Sequence, residues 1–203
     1  MAHHEITMPC TEDDVRKLKA GDTVTLQDWL FGIRDATQIH MFDHARETRL
    51  DLAGHAVIHT APNAKKVPVS NSCPAGYESI CIGTTTSMRM ERFTRPLMER
   101  EGVRMIIGKG GLGEDSRAAF RDLGGVYLAI IGGTAALETT WIEQITDVYL
   151  DDLNPESLWQ FYIKDFGPLR VAMDSHGGSL YDKVKETGQA RRAEVFAKMG
   201  IGG

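Results

Sequence analysis

Along this chain short apolar runs alternate with polar stretches of about ten residues. Thr23-Val24-Thr25-Leu26 alternates strictly and predicts a strand continuing towards Phe31. Gly32-Ile33-Arg34-Asp35 breaks the pattern. Asp35 is placed to cap a helix over residues 37–49, with Ile39, Phe42 and Ala45 or Arg46 at helical spacing. Residues 12–19 read as a short polar helix or turn, and residues 56–59 as a strand. Residues 63–76 follow Pro62, contain Pro68 and Pro74, and read as a surface excursion. Past Ile80-Cys81-Ile82 the alternation becomes regular. It predicts helices over 92–101, 116–123 and 134–140, and strands over 103–107, 126–131 and 145–150. Residues 158–166 and 169–173 read as two more strands, and 181–198 as a polar helix. Apolar runs bounded by glycine and separated by helices predict an α/β fold with parallel strands. No repeat or shift in composition divides the chain, so residues 1–203 are expected to form one domain.

Composition narrows the function classes. The 203 residues are 42% hydrophobic and 25% charged, enough for one sizeable core. A net charge of −5 disfavours a nucleic-acid partner. No apolar run reaches the roughly 18–20 residues of a membrane span, and the first ten residues lack the layout of a signal peptide. A cytoplasmic location follows as the expectation. Cys10, Cys73 and Cys81 are odd in number and contain no C-x₂-C pair, against both a disulfide framework and a cluster held within the chain. Cys81 is expected to be a buried inert thiol, and Met88, Met90, Met98 and Met105 core filler.

Glycine is over-represented, with 21 residues against a usual frequency of about 7%. Many fall where predicted strands end. Gly83-Thr84-Thr85-Thr86-Ser87-Met88-Arg89-Met90-Glu91 puts hydroxyls, backbone N–H groups and an arginine fork at one turn, a combination suited to an anion. Plain helix capping beside a surface arginine accounts for the same residues. Gly108-Lys109-Gly110-Gly111-Leu112-Gly113 follows an apolar strand and matches neither a P-loop nor a dinucleotide fingerprint. Its glycines admit a ligand close to the backbone, and Lys109 supplies a charge at the strand edge where α/β sheets bind ligands. A glycine turn with a solvated lysine is the alternative. Arg34, Arg89 and Lys109 thus place three cations on three strand ends of an acidic chain, which suits a small dicarboxylate. His40 and His44 stand four apart on a predicted helix, a spacing that binds metal but lacks a third ligand. His55 and His59 would share a strand face, with His59 near the candidate site.

With these motifs in place the sequence resembles the β subunit of two-subunit iron–sulfur hydro-lyases, the L(+)-tartrate dehydratase and class I fumarase family. It is also similar to the C-terminal domain of single-chain class I fumarases. The resemblance runs from about Thr7 to about Lys198. It rests on Thr85-Thr86-Ser87-Met88-Arg89-Met90-Glu91, Gly108 to Gly113, Pro155-Glu156-Ser157-Leu158-Trp159 and Phe166-Gly167-Pro168-Leu169, in that order. It implies a swivelling β/β/α domain with a partly parallel central sheet. It also implies an α subunit whose cysteines hold a [4Fe–4S] cluster with one open iron, an active site between the subunits and an α2β2-type oligomer. Thr85 would be the base that removes the carbon-bound proton. Arg34, Arg89 and Lys109, with Thr86 and Gly110, would bind the substrate, and the open iron would take the leaving hydroxyl. The chain departs from the family pattern at Thr84, where a proline is usual, and at Gln38, where a histidine is usual. It departs again in His59-Thr60-Ala61-Pro62 and in the 63–76 insert. These changes bear on the substrate more than on the reaction class. A non-catalytic dicarboxylate-binding module and a stand-alone metal hydratase using His40 and His44 are the competing readings.

Overall fold

The computed structural model describes residues 1–201. Nine strands and six α-helices follow the predicted alternation, with β1 (His3–Thr7), α1 (Glu12–Arg16), β2 (Thr23–Ile33), α2 (Asp35–Phe42) and β3 (Ala56–His59) in the first third. β4 (Asn63–Lys66) and β5 (Tyr77–Cys81) come next. A 3₁₀ helix (Ser87–Phe93) then runs into α3 (Thr94–Glu101), followed by β6 (Met105–Gly108), α4 (Glu114–Leu123), β7 (Val126–Ala129) and α5 (Ala135–Thr140). β8 (Ile142–Tyr149), β9 (Leu158–Met173) and α6 (Leu180–Lys198) complete the order.

The pairing of the strands closes on itself. β2, β3, β6 and β7 are neighbours in parallel, β7 pairs antiparallel with β9, and β9 pairs antiparallel with β2. β1 lies parallel against the first half of β2, and β8 antiparallel against the first half of β9. The predicted partly parallel sheet is present, as a ring of five strands with two flanking ones. Period-2 patterning feeds two cores. Leu30, Ala56, Ile58, Met105, Ile107, Val126, Leu128, Trp159 and Phe161 pack on one face of the ring. Phe31, Val57, Ile106 and Tyr127 point the other way, under Met41 of α2, Leu97 and Met98 of α3, and Phe120 of α4.

Several boundaries differ from the sequence reading. β1 was not predicted, because His3-His4-Glu5-Ile6-Thr7 buries only Ile6 and carries little apolar pattern. α2 stops at Phe42 rather than 49. The following residues are polar and are drawn to other elements: Arg92 grips Asp43 with two bonds of 2.9 and 2.6 Å, and Arg49 grips Asp147 at 2.6 Å. Ala45 then turns into the left-handed region, with φ of 51°. The 63–76 excursion contains β4, which pairs with β5 to make a separate two-stranded ribbon. The two predicted late strands are one strand, β9, continuous through Gly167 and Pro168. On the ribbon Ile80 is exposed and Cys81 half-buried, so Cys81 is not the buried thiol; Cys10 is. Burial, and then the nearby Asp14, push the Cys10 thiol up to about 11. Met90, Met98 and Met105 are core residues as expected, whereas Met88 is 48% exposed. No helix among the described residues is long and apolar enough to cross a membrane.

Candidate active site

Four parallel strands end on one rim of the ring, and the sequence-predicted site residues collect there. β2 delivers Arg34 and Asp35, β3 delivers His59 and Thr60, and β6 delivers Lys109 and Gly110. Residues 84–87 run across these ends. Thr84 bridges to Thr60, and Thr86 bridges to Lys109. The Thr85 N–H donates to the His59 carbonyl at 2.7 Å, and the Ser87 N–H to the Lys109 carbonyl at 3.0 Å. This stitching fixes Thr85, Thr86 and Lys109 relative to one another through the backbone. Three glycine positions make it possible. A Cβ on Gly108 would stand 1.9 Å from Ser87 Oγ, and Gly110 and Gly111 both adopt positive φ, 79° and 76°.

Arg34 and Arg89 converge on one carboxylate. Arg89 donates from Nη2 to Asp35 Oδ2 at 2.8 Å and from Nε to Oδ1 at 3.3 Å. The same Nη2 lies 3.4 Å from Thr85 Oγ1. Arg34 Nε stands 3.4 Å from Asp35 Oδ2 and 3.5 Å from Glu156 Oε1. Burial opposes the ionisation of Asp35, yet the hydrogen bond and charge of Arg89 outweigh it and hold its carboxyl below the usual range. The bond to Asp35, followed by its charge, raises Arg89 in turn. Asp35 therefore does not cap α2 with its side chain, as the sequence suggested. Arg34 is the N-cap residue and offers no side-chain bond. The cap comes from 120 residues away, where Glu156 Oε2 accepts the Ala36 N–H at 2.9 Å.

The second motif glutamate works the same way. Glu91 accepts the N–H groups of Gly113 at 2.7 Å and Ser116 at 2.9 Å, capping α4 from outside. Thr84, the departure from the family pattern, donates to buried Glu138 at 2.6 Å, whose other oxygen lies 2.8 Å from the Thr134 hydroxyl. Beneath the rim, Ser87 Oγ stands 2.9 Å from both His59 Nδ1 and the Tyr127 hydroxyl. Burial drives the His59 pKa down to about 4, so the ring is neutral, and burial raises Tyr127. Asp35 was read only as a helix cap and Glu156 only as part of a motif, and neither was placed in the site. Ser87 was visible as one of the motif hydroxyls but not as the partner of His59 and Tyr127; Tyr127 and Glu138 carried no signal, because their roles depend on partners across the fold.

The three cysteines do not assemble on this rim. Cys10 is in the core beside Gly54, whereas Cys73 and Cys81 lie on the β4–β5 ribbon and its loop. Among the described residues no three His, Cys, Asp or Glu side chains come together as a metal site. His44 lies past the end of α2, its ring edge-on to His40 at 4.9 Å.

With this geometry in hand, the comparisons with known proteins are specific. The chain is 33% identical over 195 residues to the L(+)-tartrate dehydratase subunit beta of Escherichia coli, covering 96% of this chain and 94% of that protein. A Methanocaldococcus jannaschii protein provisionally named L(+)-tartrate dehydratase subunit beta is 37% identical over 181 residues, 87% of this chain and 90% of that one. A Geobacillus stearothermophilus protein provisionally named fumarate hydratase class I is 36% identical over 180 residues, covering 88% of this chain and 34% of that protein. Residues 2–184 match the family described as Fumarase C-terminus. The chain belongs to the fumarase C-terminal family.

Proposed function

We propose that this chain is the β-type subunit of a hydro-lyase that removes water from a 2-hydroxydicarboxylate, L-tartrate or malate, in a heteromer with an α-type subunit. The observation that carries the reading is the rim itself. Arg34 and Lys109 follow the ends of β2 and β6, Arg89 reaches over from the 3₁₀ helix, and Arg89 already holds a carboxylate with two bonds. A substrate carboxylate meets the same donors. Arg89 and Arg34 hold one carboxylate, Lys109 the other, and the hydroxyl of Thr86 and the open backbone at Gly110 complete the cradle. Thr85 Oγ1 takes the carbon-bound proton. A threonine hydroxyl is a weak base, so Thr85 acts as its alkoxide: its own proton goes to solvent, the alkoxide takes the carbon-bound proton and returns to the hydroxyl, and the guanidinium 3.4 Å away lowers the cost of that alkoxide.

A [4Fe–4S] cluster has no seat among the described residues of this chain, so it belongs in this reading to the partner, and the steps above use only this chain's groups. The cluster, when bound by the partner, would supply the Lewis acid that accepts the departing hydroxyl. The relatives named as β subunits support a partner subunit, and an α2β2-type assembly is part of the proposal. The test is co-expression with an α-type partner followed by anaerobic assay. Oxaloacetate from L-tartrate, or fumarate from malate, supports the reading. Dicarboxylate binding without turnover would make the chain a binding module instead.

A further inference from the structure

Below the rim lies a chain of buried polar groups that the steps above leave unused. Tyr127 is fully buried, and its one side-chain hydrogen-bond partner is Ser87. Its proton is costly to leave unpaired there, so the phenol donates to Ser87 Oγ. The single Ser87 proton is then directed to His59 Nδ1, 2.9 Å away. An imidazole that accepts at Nδ1 and is neutral carries its proton on Nε2. His59 is only 1% exposed, yet Nε2 is neither paired among the described residues nor sealed from solvent. The strand carrying it, β3, lies between β2 and β6, with Ile33 directly opposite His59. The ring is thus placed between the Arg34–Asp35 turn and Lys109, and Asp35 and Arg89 are the charges that act on it.

We propose that His59 is a positioning residue of the site, locked by Ser87 and Tyr127 so that Nε2–H is offered to the carboxylate that Arg89 holds. In the free protein Arg89 holds Asp35 and Nε2 stays unpaired; in the working complex Nε2–H meets the substrate carboxylate. A neutral donor adds a hydrogen bond to the anion without adding a fourth cation, and burial keeps it neutral throughout the physiological range. This role rests on the dicarboxylate reading above.

The test compares two amides in the heteromeric complex. His59→Gln places an amide group near the position of Nε2, and His59→Asn places one near Nδ1. Affinity for succinate, measured by calorimetry, and KM and kcat for the hydroxydicarboxylate are the readouts. The expected result is about tenfold weaker succinate binding and a raised KM for His59→Asn, with His59→Gln restored to within a few-fold of wild type. The reverse order, Asn unimpaired and Gln impaired, would show that His59 only ties down Ser87 and would overturn the role. Independently of folding in the variants, ¹⁵N-histidine spectra of the wild-type protein should show His59 protonated at Nε2 and bare at Nδ1, with the Nε2 signal moving on adding succinate. A proton on Nδ1, or no response to succinate in a complex that binds it, also overturns the role. A wild-type complex that binds no dicarboxylate overturns the reading of the substrate and this role with it.

Discussion

The rim at the ends of β2, β3 and β6 and the helix α6 are opposite ways of using sequence. On the rim each side chain is held by a group from elsewhere: Arg89 by Asp35, α2 by Glu156, α4 by Glu91, and Ser87 by His59 and Tyr127. α6 extends over 19 residues without burying one of them. It is attached at its first turn, where Ser179 caps Asp182, Arg117 pairs with Asp182, and Tyr181 packs against Gly111. Local propensity and one good cap make α6, whereas long-range bonding makes the rim. Change should therefore be costly on the rim and cheap along the helix.

The largest expected effect is on chemistry. On the proposed function, Lys109→Ala and Arg89→Ala in the heteromer should each lower kcat/KM by about a hundredfold or more, because each removes a charge assigned there to the substrate. Arg89→Lys should also fall short, since an ammonium cannot fork between Asp35 and Thr85. Gly108→Ala should destabilise the fold by about 2–4 kcal/mol, read from the denaturant midpoint, because its Cβ has no room beside Ser87 Oγ.

His59 contributes to the acid limb of stability, alongside His55, whose pKa burial also lowers. The folded pKa of His59, about 4, lies below the 6.5 of the unfolded chain, so between these values the unfolded state binds the extra proton. The stabilisation is present above pH 6.5 and is lost as pH falls towards 4, amounting to at most about 3 kcal/mol. Stability curves of wild type and His59→Gln should diverge in that window and run parallel above it. Glu91→Ala and Glu156→Ala should each cost about 1–2 kcal/mol as lost caps, seen as lowered Tm. Deleting residues 189–198 should leave the unfolding free energy of the remaining chain within about 0.5 kcal/mol.

The same contrast explains how much was legible in the sequence. α6 was read almost to the residue, because its formation depends on its own composition and cap. Arg34 and Lys109 were legible as cations beside glycines at strand ends; Arg89 was read as a third, but it sits on the 3₁₀ helix and reaches the same rim from there. What escaped notice was everything decided by a distant partner. Asp35 was read as a local cap because its neighbours in sequence suggest one, while the guanidinium that captures it is 54 residues away. The ribbon went unread because β4 is polar and mostly exposed and β5 turns Ile80, its one aliphatic residue, out to solvent. The ring could not be inferred, because its closing pair joins residues as far apart as Thr23 and Arg170.

That closing pair has a consequence for how the protein is made. β2 finds β3 early in synthesis, but its other edge stays open until β9 is complete, almost at the end of the chain. Contacts this distant in sequence are slow to form and leave an unpaired strand edge exposed meanwhile. A nascent chain therefore carries Arg34, Thr85 and Lys109 long before the ring that aligns them has closed. A partner subunit meeting it during translation would encounter the residues of the site without their geometry. On the proposed function, the residues of the site reach their working geometry for a partner only after β9 has paired with β2.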